Sequence, residues 1–167
     1  MAAVTEQLTK PMLNGTPSEG IKRICFICTG NTCRSPMAAA VANAIAESEG
    51  LSIRADSAGL YATPDAPISV HAVMALERAA VEPIDGADYH AHIAKNLTDA
   101  LVAQMDMLVP MTRTHVMELI LRYPDAVKKI VCMPQQISDP YGGTLQVYEA
   151  CLSEITKGVR ALLHGEV

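Results

Sequence analysis

Between residues 28 and 35 the sequence reads Cys28-Thr29-Gly30-Asn31-Thr32-Cys33-Arg34-Ser35. An apolar run, Ile24 to Ile27, precedes this stretch, and a long helix-like pattern begins at Pro36. The stretch is therefore predicted to be a loop between a strand and a helix. In an open α/β sheet such a loop lies beyond the carboxyl end of the strand, where ligands bind.

The rest of the chain alternates short β-rich runs with longer helical patterns. Strands are predicted near 22–28, 51–56, 105–109 and 129–133, and helices near 36–49, 69–80, 112–122 and 144–163. Such alternation is typical of a parallel sheet covered on both faces. We therefore predict an α/β fold, a single three-layer domain with a central four-stranded parallel sheet and helices on both faces.

The last helix carries the clearest amphipathic pattern, and we interpret its apolar stripe as core. The stripe consists of Leu145, Tyr148, Leu152, Ile155, Val159 and Leu162. Residues 1–20 combine proline and glycine with polar residues and are predicted to be a flexible tail, leaving residues 21–167 as the folded domain. A chain of 167 residues with 50% hydrophobic content can bury one substantial core.

The loop has the chemistry of a phosphate cradle that contains its own nucleophile. A loop curled round an anion points its N–H groups inward, and the following helix adds the positive end of its dipole. The same field should favour the thiolate form of Cys28. Arg34 can hold two phosphoryl oxygens with one planar guanidinium, and Ser35 can donate to a departing thiolate. Gly30 and Asn31 tolerate the positive φ expected of a tight loop.

Asp139-Pro140 is a candidate general acid, although it stands far from Cys28 in sequence. Expelling a leaving group from phosphorus requires a proton, which a carboxylic acid above the cradle could supply. The same carboxylate could then deprotonate the attacking water. Asp-Pro followed by Gly-Gly is also good turn chemistry, so a purely structural turn is the alternative.

Composition excludes several other classes of protein. Only 4% of residues are aromatic and the formal charge is −5, which argues against nucleic acid as a partner. No apolar run reaches the length of a membrane span, and residues 1–20 have no secretory h-region. Five cysteines, two of them needed as free thiols, suit a reducing compartment, and we predict a cytoplasmic protein with no membrane partner. Neither a metal site nor a cofactor is expected.

The chain resembles the low-molecular-weight protein tyrosine phosphatase family, whose signature Cys-x5-Arg-Ser-Pro is matched by Cys28 to Pro36. Further family motifs recur in order over residues 22–163. These are Ser57-Ala58-Gly59, His92 with Asn96-Leu97-Thr98, Met111-Thr112-x-x-His115, and Asp139-Pro140-Tyr141-Gly142-Gly143. The resemblance implies a metal-independent phosphatase of phosphorylated proteins that works through a phosphocysteine. We expect a monomer or weak dimer.

The resemblance and the chemistry together assign a set of candidate site residues. The catalytic residues are expected to be Cys28, Arg34 and Asp139, and the phosphate or substrate contacts to be Thr29, Gly30, Asn31, Thr32, Cys33, Ser35 and Tyr141. Ser57 and His92, with Asn31, match positions that brace the loop in the family. Cys33 could trap an oxidised Cys28 as a disulfide, or could be a small packed residue.

Thr32 makes the chain resemble the branch of the family that acts on phosphoarginine. Phosphotyrosine enzymes usually carry an aliphatic residue there, and often a second aromatic residue where this chain has Gly142. A threonine hydroxyl can hydrogen-bond a guanidinium or orient a water. We expect phosphoarginine to be favoured. A tyrosine phosphatase is the main alternative. Less favoured are a thiol-coupled arsenate reductase, which would need further cysteines that residues 80–100 lack, and a non-catalytic phosphate-binding module.

Overall fold

A computed structural model describes residues 20–166. The predicted tail, residues 1–20, lies outside the described residues except for Gly20. The described residues form three strands and five α-helices: β1 Lys22–Cys28, α1 Arg34–Glu49, β2 Ile53–Gly59, α2 Val70–Arg78, α3 Asp99–Gln104, β3 Met107–Pro110, α4 Arg113–Arg122 and α5 Leu145–His164. Short 3₁₀ turns span Tyr89–Ala91 and Pro124–Lys129.

The sheet is parallel, in the order β2-β1-β3, so β1 is the central strand. Ile24 in β1 is paired with Ala55 of β2 and with Met107 of β3. Because β1 is covered on both faces, its side chains from Ile24 to Cys28 are all buried. The α/β class with a parallel sheet is confirmed.

Over residues 20–166 the sheet has three strands, and the prediction of four is wrong. The run at 129–133 lies beside β3 but makes a single parallel bridge, Leu108 to Ile130. The 3₁₀ turn occupies the chain up to Lys129, and β3 ends at Pro110, which has no N–H to donate. The run therefore has room for only two backbone bonds to β3, from Val131 N to Leu108 O and from Met133 N to Pro110 O.

The two faces of β1 lead into separate hydrophobic clusters. Ile24 and Phe26 pack with α1, α2 and α5, whereas Cys25 and Ile27 pack with residues of α3 and α4. This is the alternation expected of a strand inside a three-layer sandwich. The structure also buries the predicted stripe of α5 from Tyr148 to Leu162, with Leu145 partly buried at its start.

The helix α3 was not predicted from the sequence, since six residues give too short a pattern. It is capped by Thr98, whose side chain accepts a hydrogen bond from Leu101 N. In residues 20–166, none of the helices combines the length and the apolar character that crossing a bilayer demands.

Candidate active site

The loop from Cys28 to Cys33 leaves the carboxyl end of the central strand and enters α1 at Arg34. Asn31 has a left-handed backbone with φ of 56°, as expected for part of the curl. Gly30 is not among the residues with positive φ, so that half of the prediction is wrong. Gly59, at the end of β2, touches the loop so closely that a Cβ there would lie 2.6 Å from Thr29 O.

Cys28 lies at the base of the loop with 2% of its surface exposed. Its Sγ is 2.9 Å from Ser35 Oγ, and Asn31 Nδ2 donates to the same hydroxyl oxygen at 2.8 Å. Because Ser35 already accepts from Asn31, its own hydrogen is free to point at the sulfur. A hydroxyl donor at this position stabilises a thiolate more than a thiol.

Asn31 is fully buried and connects the loop to its surroundings. Besides Ser35, its Nδ2 donates to Ser57 Oγ at 3.0 Å, while its Oδ1 accepts from Lys95 N at 3.0 Å. The ring nitrogen Nε2 of His92 donates to the main-chain oxygen of Asn31 at 2.8 Å. The structure thus brings together all three residues expected to brace the loop.

His92 must carry a hydrogen on Nε2, because a carbonyl oxygen can only accept. Burial lowers the pKa of His92 below its ordinary value, although its bond to Asn31 O works in the opposite direction. A ring kept neutral in this way holds one proton and one fixed orientation behind the loop.

Arg34 lies buried beneath the loop, with 5% of its surface exposed. One guanidinium nitrogen donates to Ile137 O at 3.1 Å, and another is 3.5 Å from Asp139 Oδ2. Asp139, the expected acid, therefore lies beside Arg34, the expected phosphate-binding cation, although the two are 105 positions apart in sequence. The Asp139 side chain is itself half exposed, at 53%.

The segment from Asp139 to Gly143 is a turn, and the turn positions the carboxylate. Asp139 Oδ1 accepts from Tyr141 N at 3.1 Å, and Gly143 N donates to Pro140 O at 2.8 Å. Gly142 has a φ of 77°, where a side chain would be strained. The turn and the acid role are therefore compatible.

A cavity of about 500 Å³ opens over the loop. Every loop residue from Cys28 to Arg34 lines it, together with Asp139 and Tyr141 from one side. The segment from residue 61 to residue 69 also lines the cavity, through Tyr61, Thr63, Ala66, Pro67 and Ser69. Tyr141 is 78% exposed, so it lies at the mouth.

Thr32 and Cys33 occupy different environments in the loop. Thr32 is half-buried at the cavity wall, and its main-chain oxygen accepts from Ser69 N at 2.9 Å. Cys33 is 4% exposed, and its Sγ lies 3.2 Å from the Tyr148 hydroxyl, which also accepts from Ser69 Oγ. All five cysteines are free thiols.

Sequence reasoning gave no role at the site to three groups that contact it. Tyr61 lines the cavity, and Arg122 lies over its ring with the guanidinium carbon 4.7 Å from the ring centroid. Tyr148 reaches the loop from α5, and the buried His115 bonds Thr29. Tyr61 could have been found from sequence, because it follows a predicted strand and ligands bind beyond the carboxyl ends of such strands. Tyr148 could not, because it is part of the apolar stripe of α5 and was interpreted as core.

The arrangement can bind a phosphoryl group and attack it. Loop N–H groups and Arg34 can hold an anion above the sulfur of Cys28, and the Asp139 carboxyl borders the same space. Within residues 20–166 there is no cluster of three or more histidine, cysteine or acidic side chains that could hold a metal.

Fold and loop together define an α/β protein with a cysteine-containing anion loop at the end of its central strand. The chain belongs to the family described as low molecular weight phosphotyrosine protein phosphatase, whose sequence profile matches residues 23–167. Members of this family are cysteine-dependent protein phosphatases.

Relatives of both specificities are similar to this chain. A protein-arginine-phosphatase of Bacillus subtilis is 33% identical over 151 residues, covering 83% of this chain and 93% of the relative. A probable low molecular weight protein-tyrosine-phosphatase, EpsP of Ralstonia nicotianae, is 32% identical over 145 residues, covering 84% and 93%. Among solved structures, a YwlE arginine phosphatase mutant with a phosphorylated active-site serine superimposes with a TM-score of 0.77, 31% identity and coverage of 85% and 93%.

Proposed function

We propose that this chain hydrolyses phosphorylated protein side chains through a phosphocysteine on Cys28, with phosphoarginine favoured. The observation that carries the proposal is the meeting of three groups at one cavity. The sulfur of Cys28 lies at its base, the guanidinium of Arg34 beside it, and the carboxyl group of Asp139 at its side. The phosphorylated active-site serine in the related arginine phosphatase supports a covalent intermediate at the equivalent side chain.

In the first step the Cys28 thiolate attacks phosphorus, so that a P–S bond forms as the bond to the leaving nitrogen or oxygen breaks. Arg34 pairs with the phosphoryl oxygens, exchanging part of its contact with Asp139 for the substrate. Asp139 in its acid form gives a proton to the leaving group. The protonated side chain then departs as a neutral guanidine or phenol.

In the second step water attacks the phosphocysteine. The Asp139 carboxylate takes a proton from this water, and the P–S bond breaks to release inorganic phosphate. The Ser35 hydroxyl, 2.9 Å from Cys28 Sγ, stabilises the sulfur as it regains negative charge. Asn31 holds Ser35 in place for this role.

Preference for phosphoarginine rests on polar groups along the cavity wall. Thr32, Thr63 and Ser69 all line the cavity, and the bond from Ser69 N to Thr32 O fixes the two loops against each other. A guanidinium presents several N–H donors, and hydroxyl oxygens can accept them. The relatives named protein-arginine-phosphatase support the same preference.

Phosphotyrosine is the second candidate substrate, and the two exposed tyrosines at the mouth favour it. Tyr61 is 62% exposed and Tyr141 is 78% exposed, and both line the cavity. Aromatic rings in such positions can stack against a phenyl ring. The same two rings can also stack on a planar guanidinium, so they fit either substrate.

The test is a comparison of kcat/KM for a phosphoarginine peptide and a phosphotyrosine peptide of the same sequence. We expect the parent to prefer phosphoarginine, and Thr32→Ile to lower that rate by more than it raises the phosphotyrosine rate. Thr32→Val is the matched control, because it removes the hydroxyl and keeps the shape. A parent that prefers phosphotyrosine, or a ratio that neither substitution changes, contradicts the preference.

The proposal also places the enzyme in the cytoplasm, as a monomer or weak dimer. Cys28 must be a thiol for catalysis, and the free state of all five cysteines suits a reducing compartment.

A further inference from the structure

His115 contacts the phosphate cradle through Thr29. It lies in the first turn of α4 and is 6% exposed. Its Nδ1 is 3.0 Å from Thr112 Oγ1, and its Nε2 is 2.9 Å from Thr29 Oγ1. Thr29 directly follows Cys28 and lines the cavity. The ring therefore connects a helix cap to the residue beside the nucleophile.

The hydrogens on this chain of groups can be assigned from Thr112. Its hydroxyl oxygen caps α4 by accepting from His115 N at 3.3 Å. Within residues 20–166 the hydroxyl has no protein acceptor other than His115 Nδ1, and we assign its hydrogen to that nitrogen. A ring nitrogen that accepts has no hydrogen of its own, which places the proton of a neutral ring on Nε2.

The ring is neutral at physiological pH. Burial is the main cause that lowers the pKa of His115 to about 4, and the nearby positive charge of Arg34 adds to it. The acidic side chains of Glu118 and Asp139 oppose the change but do not outweigh it. One proton therefore remains on the ring, and the bond to Thr29 runs from Nε2–H to Oγ1.

A hydroxyl that accepts from His115 still has its own hydrogen. Among the described residues Thr29 Oγ1 has no other side-chain partner, and Thr29 is one of the residues that line the cavity. Its hydrogen is thus free for a group that enters the cavity. The negatively charged oxygens of a phosphoryl group would accept a strong hydrogen bond from this hydroxyl.

We propose that His115 is a positioning residue that holds the Thr29 hydroxyl as a hydrogen-bond donor to the phosphoryl oxygens of the substrate. The inference rests on the proposed function, since it needs a phosphoryl group above Cys28. It gives the cradle two hydroxyl donors with separate tasks: Ser35 serves the sulfur and Thr29 serves the phosphoryl group. The opposite tautomer would use the Thr29 hydrogen on His115 Nε2 and leave the cavity without that donor.

The tautomer can be measured on the parent protein without any substitution. Nitrogen-15 NMR of the histidine rings at pH 7 should show His115 with a protonated Nε2 and an unprotonated Nδ1. A ring protonated on Nδ1, or on both nitrogens, overturns the proposal. Because this experiment uses no substrate, its result does not depend on the phosphatase activity.

The kinetic test is a double-mutant cycle. Thr29→Val should lower kcat/KM about 10- to 100-fold, the range for one hydrogen bond to a charged group. Thr29→Ser, which restores the hydroxyl, should recover most of the rate. His115→Leu should cause a loss similar to that of Thr29→Val in the parent, and little further loss in the Thr29→Val background.

If His115 has only a structural role, the losses in kcat/KM of His115→Leu and Thr29→Val should add in the double variant, or Thr29→Val should keep the parent's rate. Either result would overturn the proposal. His115→Gln provides the check if His115→Leu does not fold, because its amide N–H can replace Nε2–H and should rescue activity. Losses in His115→Gln equal to those in Thr29→Val also contradict the inference. A parent inactive on both phosphopeptides contradicts the proposed function instead, whatever the tautomer.

Discussion

Asn31→Ala should destabilise the protein more than a single loop substitution ordinarily does. The buried amide makes three side-chain bonds, to Ser35, to Ser57 and from Lys95 N. At about 1 kcal/mol for each net hydrogen bond, their loss costs about 3 kcal/mol. Alanine at a φ of 56° adds a further strain of about 1 kcal/mol.

A loss of about 4 kcal/mol corresponds to a fall in Tm of roughly 8–16 °C for a domain of this size. Thermal unfolding measured by circular dichroism tests this value. Asn31→Gly is the matched control, because it removes the same bonds without the backbone strain and should lose about 1 kcal/mol less. Both variants should also lower kcat, since Ser35 is then free to turn away from Cys28.

Two results would refute this reasoning. One is a Tm within 2 °C of the parent, which would mean that the three bonds contribute little to stability. The other is Asn31→Gly less stable than Asn31→Ala, which would mean that the left-handed backbone is not strained for alanine.

Three further predictions concern acid catalysis, oxidation and pH. Asp139→Asn should lower kcat about 10²- to 10⁴-fold, with a larger loss for a phenol of high pKa than for an activated one; equal losses would mean that Asp139 only positions the loop. Mild peroxide should inactivate the enzyme reversibly through a Cys28–Cys33 disulfide, and Cys33→Ala should make the loss irreversible; peptide mapping that never finds this pair would contradict it. Burial lowers the pKa of His115 in the folded protein from its ordinary value of 6.5 to about 4, so the unfolded state binds the extra proton as pH falls below 6.5. The free energy of unfolding should therefore fall by about 3 kcal/mol between pH 6.5 and 4, and His115→Gln should reduce this slope in chemical denaturation; an equal slope would contradict it.

The sequence predicted the parts of the fold that depend on local pattern. The strand before Cys28, the helix after it and the stripe of α5 all lie where hydrophobic spacing placed them. The prediction of a fourth strand was wrong because the apolar run at 129–133 has the pattern of a strand, whereas pairing depends on the backbone groups that β3 presents to it. Pro110 and the 3₁₀ turn limit that pairing, and the pattern of the run itself indicates neither.

The site shows the same division. Residues within the loop motif and those of the matched motifs could be named from sequence, and the structure brings Arg34 and Asp139 to 3.5 Å. His115 and Tyr148 could not be given a role, because their contacts join distant segments through side chains. Thr29 meets His115 across 86 positions, and Cys33 meets Tyr148 across 115.

The central claim is that Cys28 carries the phosphoryl group between substrate and water. Its most direct test is rapid acid quenching of the parent enzyme during turnover of a phosphopeptide, followed by mass spectrometry of the digested protein. We predict one phosphoryl group on the peptide that contains Cys28 and on the cysteine itself, with no turnover by Cys28→Ser. A phosphoryl group on another residue, or turnover by Cys28→Ser within tenfold of the parent, would contradict the account.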